Sequence, residues 1–215
     1  VETGLSMAQG NAKTTNFNLG MNATRTTRRD KIGVHFASLY AKSSTTGPSL
    51  VTANAMRGGL SYDLNLSARS FAFGFTDLEF DEFQKLDLRF VTGGGMGWHA
   101  VRRERTTLDL SGGSSLNKEF FSTGLRRTSG EVLFGEELSH KLGASSQLKQ
   151  KLVFYPNLSE SGEYRVTFDT SMVTSLRKWL GWHLTLSNRY LSNPLPGTKK
   201  NDVLFTTGIR LTFAP

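Results

Sequence analysis

The sequence predicts a closed transmembrane β-barrel of twelve antiparallel strands in an up-and-down meander, and three observations carry that expectation. Apolar and polar residues alternate with a period of two along nearly all of the 215-residue chain, as in strands with one wet and one apolar face. The connections alternate in chain order between short and longer. The chain closes on an alternating segment that ends near an aromatic residue.

Composition permits this fold without announcing it. Hydrophobic residues make up 37% of the chain and charged residues 20%, too apolar for disorder. No run of about 18 apolar residues occurs, which excludes a transmembrane helix. A β-barrel is the other way to pair every backbone group in lipid, and its hydropathy signal is weak. Glycine is abundant (22) and proline scarce (5), which favours strands and tight turns. Cysteine is absent, in keeping with an oxidising envelope compartment. A chain beginning at Val1 is expected to follow a removed signal peptide.

The elements follow in order, within one domain over 1–215. An opening segment around 1–9 is the weakest, and without it ten strands are the alternative count. Phe17, Leu19, Met21 and Ala23 alternate with Asn16, Asn18, Gly20 and Asn22. Ile32, Val34, Phe36 and Tyr40 share a face opposite His35, and Met56, Leu60, Tyr62 and Leu64 oppose Arg57, Ser61 and Asp63. Phe71, Phe73 and Phe75 form an apolar face against Ala72 and Gly74. Leu86, Leu88, Phe90, Met96 and Trp98 oppose Asp87, Arg89 and His99, and Leu108 and Leu110 oppose Asp109. Val132, Phe134 and Leu138 oppose Glu131 and Glu137, with Leu133 and Glu136 breaking the pattern. Leu148, Leu152 and Phe154 oppose Lys149 and Lys151. Tyr164, Val166, Phe168 and Met172 oppose Arg165 and Asp169, and Leu180, Trp182, Leu184 and Leu186 oppose His183 and Arg189. Val203, Phe205, Ile209, Leu211 and Phe213 oppose Gly208 and Arg210. A soluble twelve-stranded barrel would turn such an apolar face inward and overfill its lumen.

The connections at 27–30, 65–69, 102–105, 143–146 and 177–179 are short, and those at 43–50, 76–84, 118–127, 156–162 and 192–200 are longer. Short periplasmic turns and longer external loops are the habit of bacterial outer-membrane barrels. The closing strand places Gly208, Leu211 and Phe213 in the pattern of the signal read by the barrel assembly machinery, departing from it by the extra Ala214 and Pro215. Trp98, Trp179, Trp182, Tyr40, Tyr62 and Tyr190 fall mostly near strand ends, as girdle residues do.

Where each charge falls says more than the net +8. The polar strand faces, expected to line the lumen, carry Arg57, Arg89, Lys149, Lys151, Arg165, Arg189 and Arg210 against Asp63, Asp87, Asp109, Glu131, Glu137 and Asp169. So balanced an interior is expected to cross-link into ion pairs. The excess sits near the short turns, where Arg28, Arg29, Arg102, Arg103, Arg105, Arg177 and Lys178 form a basic rim. That rim suits anionic headgroups of the inner leaflet, or an acidic periplasmic partner or anionic polymer. Its residues lie in separate turns with no aromatic platform between them, which argues against nucleic acid.

Chemical motifs are few. Asp77, Glu79, Asp81 and Glu82 fall within 76–84, where a loop could hold calcium or a divalent ion bridging lipopolysaccharide phosphates, although no glycine stands at the offset of a calcium loop. The four histidines show no metal-ligand spacing. Ser139 and His140 are neighbours on one strand and face opposite ways, so they cannot form the nucleophile and base of a lipid hydrolase. Gly93, Gly94, Gly95 and Gly97 lie mid-strand with no helix to follow, which fits room for lumen side chains better than a phosphate cradle. No cofactor and no catalytic residue is expected.

The segments 137–142 (ELSHKL), 154–158 (FYPNL), 162–165 (GEYR), 190–194 (YLSNP) and 197–202 (GTKKND) resemble the salt-induced outer-membrane protein family, a domain of unknown function. The resemblance covers nearly the whole chain. It implies an integral outer-membrane barrel in contact with lipopolysaccharide and lends an osmotic-stress role some support, with no site residues to carry over. Two functions stay open: a small-pore or passive-transport barrel, and a structural barrel with a plugged lumen that binds a protein partner or envelope polymer.

Overall fold

The computed structural model describes residues 2–8, 13–44 and 50–212. Twelve strands run in chain order: β1 (Glu2–Ala8), β2 (Lys13–Thr26), β3 (Asp30–Ser44), β4 (Leu50–Asn65), β5 (Ser70–Asp81), β6 (Leu86–Arg102), β7 (Thr106–Phe121), β8 (Arg126–Lys141), β9 (Ser146–Pro156), β10 (Tyr164–Ser175), β11 (Leu180–Leu191) and β12 (Asn201–Leu211). Each pairs antiparallel with its neighbours, and the ring closes where Glu2 and Thr3 of β1 meet Arg210 and Ile209 of β12. Closure matters because an open strand edge in hydrocarbon leaves backbone N–H and C=O groups unpaired. Phe213 lies outside the described residues; Gly208 and Leu211 pair with His183 and Leu180 of β11.

The outer wall is apolar, as lipid requires. Phe17, Met21, Val34, Met56, Leu60, Met96, Phe134, Phe205 and Ile209 are all exposed large hydrophobic side chains. Trp98, Trp182 and Tyr62 stand toward the ends with the short turns, and Trp179 in one of those turns. Near the opposite end Tyr164 packs edge-on to Phe154 at 5.5 Å and stacks on Tyr190 at 5.6 Å. These are the two interfacial girdles, where amphipathic rings prefer to lie.

The parity of connections is less regular than the sequence suggests. Strands β5 to β8 run on through residues expected in external loops, so the connections 82–85 and 122–125 are short. The longer connections 157–163 and 192–200 stand over β9 to β12, whose strands are 11 or 12 residues long. β4, β6, β7 and β8 have 16 or 17 residues, so the barrel wall is taller on that side.

Side-chain direction differs from expectation on β5. Phe71, Phe73 and Phe75 pair with Asn65, Asp63 and Ser61 and share their inward face, so the three rings lie in the lumen and not on the lipid wall. Leu133 and Glu136, which interrupt the β8 pattern, sort to opposite sides. Leu133 is buried inside, and Glu136 takes the outward parity of Phe134, its Oε1 accepting a 3.4 Å bond from Gln150.

Met56, 46% exposed on the outer wall, lies mid-way between the two ends of β4. Met56→Arg should cost about 2–4 kcal/mol at the bilayer midplane, and Met56→Leu should be close to neutral. Equilibrium folding into lipid vesicles under urea measures both.

Candidate functional site

The interior is ordered as layers, each set by which strands are neighbours. Toward the outer end, β4 to β7 bring charges of alternating sign side by side through the register partners Arg57↔Glu79, Glu79↔Arg89 and Arg89↔Glu119. Arg57 Nε donates to Glu79 Oε1 at 2.7 Å, and Arg89 donates to Glu79 Oε2 at 2.5 Å and to Glu119 Oε1 at 2.8 Å. Arg165 of β10 reaches over β9 to grip Glu131 of β8 with two parallel 2.8 Å bonds. Its guanidinium lies 3.4 Å from the centre of the intervening Tyr155 ring. The fork matches the carboxylate, and Ser115 and Asn117 of β7 donate to its oxygens as well. Arg189 and Asp169 form a third pair at 2.9 Å.

Below this lies a dry layer. Leu133, Val153 and Tyr155 form a buried cluster against which Phe73 and Phe75 pack. Glycines on β6 make the space. A Cβ at Gly97 would fall on the Phe71 ring, and one at Gly93 would stand 3.0 Å from Phe75. Phe71 also stacks on His99 at 4.8 Å, and His99 Nδ1 is bonded to Asp109 at 2.6 Å.

The inner half is wetter and is crossed by one long side chain. Lys31 Nζ of β3 lies 3.7 Å from Asp63 on the adjacent strand and 3.6 Å from Glu137 on β8, far around the ring. The Glu137 side chain is 53% exposed, and Lys149 and Lys151 of β9, on the same inward face as Val153, are exposed to the lumen. On the opposite wall Asn22, Thr24, His35 and Ala37 also point inward and are exposed. One side of the lumen is therefore packed and the other is open to water.

Above the charged layer the outer mouth holds a vestibule of about 410 Å³. Leu195 of the connection 192–200 folds over it and is buried against Leu86 and Phe121 at the tops of β6 and β7. Gln84 of the connection 82–85 reaches across the mouth and donates to Asp202 of β12 at 2.5 Å. Glu163 at the vestibule edge accepts bonds from Asn193 and Asn157. Beside the vestibule, and sharing Gln84 and Arg165 with it, a cavity of about 20 Å³ is lined in part by Glu79, Arg89 and Arg189, room for about one water.

Most of the charges expected in the lumen are brought into these layers, and Arg210 faces inward near the inner end of β12. Asp87 is not among them. It stands exposed in a β-bulge between Leu86 and Leu88, outside the ladder. The acidic group also differs from expectation: Asp77, Glu79 and Asp81 lie on β5 with the parity of the three phenylalanines, and Glu82 begins the short connection. Glu79 is taken by two arginines, Asp77 lies 3.7 Å from His35 and Asp81 accepts from Gln84. Among the described residues no group of histidines, aspartates and glutamates is arranged to hold a metal. Arg28, Arg29, Arg102, Arg103, Arg105, Arg177 and Lys178 all lie exposed at the end with the short turns. Ser139 accepts a bond from Gln147 and His140 one with Thr106, on opposite faces of β8. Lys31, Gln84 and Leu195, which set the cross-lumen contacts, escaped the sequence reading because all three fall in or beside connections.

The family description that matches the chain, over residues 1–213, is a protein of unknown function, DUF481. No curated protein matches at the sequence level. Among solved structures the porin NanC is similar at a TM-score of 0.55 and 8% identity, over 99% of this chain and 98% of that one. A bacterial polysaccharide outer-membrane secretin is similar at a TM-score of 0.50 and 7% identity, over 99% and 96%. At these identities the likeness is one of fold, that of an outer-membrane β-barrel.

Breaking the Arg165–Glu131 pair from one side leaves a buried charge without its partner, Glu131 being 3% exposed and Arg165 9%. Arg165→Met and Glu131→Gln should each lower stability by about 3–5 kcal/mol. The double variant should lose much less than the sum, a coupling that a double-mutant cycle of folding free energies measures.

Proposed function

The chain belongs to the DUF481 family of proteins of unknown function, and from that premise we propose that this barrel is a narrow passive pore for small solutes. The observation that carries the reading is the division of the lumen. Packed rings fill it along β5 to β9 and ion pairs run from β4 to β11 above them, while Asn22, Thr24, His35 and Ala37 on the facing wall point inward and are exposed to water. Thr185, Ser187 and Thr206 continue that wall with small polar side chains. A path so lined offers small polar solutes weak hydrogen-bonding partners along its length. The porin named among the similar structures accords with this use of the fold. Ser139 and His140, turned to opposite faces and bonded elsewhere, leave a lipid hydrolase without the pair it needs. The salt-stress role suggested by the family resemblance would then be the exchange of small osmolytes across the outer membrane.

A second reading, a structural barrel with a closed lumen, is favoured by the contacts that cross the interior at both ends, Lys31 with Glu137 and Gln84 with Asp202. Conductance decides between the two. Refolded protein in a planar bilayer should show a small steady conductance, and Lys31→Ala, which removes the inner bridge, should raise it severalfold. A folded barrel that stays silent in both forms would overturn the pore.

A further inference from the structure

The outer wall changes character at the tops of β6 to β8. On β7 the lipid-facing parity runs through Leu110 and Leu116, both exposed on the apolar wall, to Lys118, which is exposed as well. From Thr106 at the inner end of β7 to Lys118 the strand climbs about 30 Å at the usual rise and tilt, just past an apolar band of about 25 Å. Lys118 therefore stands at the level of the outer headgroups, with its methylene stem along the wall beneath.

A second cation stands beside it. Arg126 opens β8 opposite Phe120, where the wall meets the vestibule, and its guanidinium lies 5.6 Å from the centre of the lipid-facing Phe120 ring. Lys118 faces Thr128, so the two cations are diagonal neighbours across the ladder, about 7–8 Å apart at the backbone. Lys85 is exposed in the adjoining connection, where its carbonyl accepts a 2.9 Å bond from Ser122 N. Among the described residues no carboxylate lies within ion-pair distance of any of the three, and Asp87, exposed in the β6 bulge, pairs with none of them. Like charges side by side are unfavourable until an anion lies between them. The flank is apolar: Phe90 faces Lys118 across the ladder, and Leu88, 38% exposed, faces Phe120.

A small soluble anion would use the cations alone, and a neutral lipid the apolar side chains alone. A ligand with phosphates at one level and alkyl chains directly beneath uses both, and in the outer leaflet that ligand is lipopolysaccharide. We propose that the outer wall at the tops of β6 to β8 is a lipopolysaccharide-binding site, with the lipid A phosphates on Lys118 and Arg126 and acyl chains along Phe90 and Leu116. Phosphate oxygens accept charge-assisted bonds from both cations. The site uses the outer wall and does not depend on what the lumen conducts.

Bisphosphorylated lipid A titrated into the detergent-folded barrel, followed by thermophoresis, tests the site. Saturable binding is expected, weakened at least about tenfold in the double variant Lys118→Gln, Arg126→Gln. Lys42→Gln, which neutralises an exposed lysine near the outer end of β3, should leave the affinity unchanged. Lipid A stripped of both phosphates should bind the unsubstituted barrel at least about tenfold more weakly. Folding of each variant is checked by its heat-modifiable migration, and if the double variant fails to fold, the two single variants carry the test. No saturable binding, equal affinity in the folded variants, or an equal loss in Lys42→Gln overturns the site. Dephosphorylated lipid A binding as tightly as the phosphorylated form overturns the role given to the phosphates. Phosphatidylglycerol binding as tightly as lipid A overturns the choice of lipopolysaccharide.

Discussion

The structure depends on one constraint, the closure of an antiparallel hydrogen-bond ladder in a solvent that offers the backbone no other partner. Closure fixes the register of each strand against the next, and register fixes which side chains face lipid, because a slip of one residue would exchange the faces. Which strand side chains enter the lumen follows from that parity. The alternating charges of Arg57, Glu79, Arg89 and Glu119 form a ladder because β4 to β7 align them on one level. The same rule sends Phe71, Phe73 and Phe75 inward, since they share the parity of Glu79.

That last point shows how far the sequence could be read. The strands, their order and the outward face of most of them are legible, because bulky apolar residues at every second position have one stable environment in a membrane. β5 misleads because its bulky residues are on the wet side and its lipid side opens with Ala72, Gly74 and Thr76. The signal was nevertheless present. Phe71, Phe73, Phe75, Asp77, Glu79 and Asp81 are all odd-numbered, and a run of carboxylates on one strand face must avoid lipid. The bulky run stops at Phe75 and carboxylates follow, so the segment 76–84 resembles a loop although β5 continues through it to Asp81.

The candidate site was legible only in its residue types. Balanced charges on the polar faces announce cross-linking, and Arg165, Glu131, Arg189 and Asp169 are all found in pairs. Which arginine takes which carboxylate depends on reach across non-adjacent strands, as when Arg165 passes over Tyr155 to Glu131. Contacts that cross the ring carry no periodicity at all. Lys31 with Glu137 and Gln84 with Asp202 are set by barrel radius and side-chain length, quantities that no local pattern encodes.

The asymmetry of the wall gives the lumen a direction. The tall strands β6, β7 and β8 and the connection 192–200 place the vestibule at the outer mouth, above the packed side. The water-exposed inward residues Asn22, Thr24, His35 and Ala37 lie lower and on the other side. A small cavity beside the vestibule shares Gln84, Arg165 and Leu191 with it and is completed by Glu79, Arg89 and Arg189. The three arginines there are each tied to a carboxylate. Gln84 is the exception, reaching in from a short connection and shared by the vestibule and the small cavity. It is held by hydrogen bonds alone, to Asp81 and Asp202, whereas each arginine beside it is held by an ion pair.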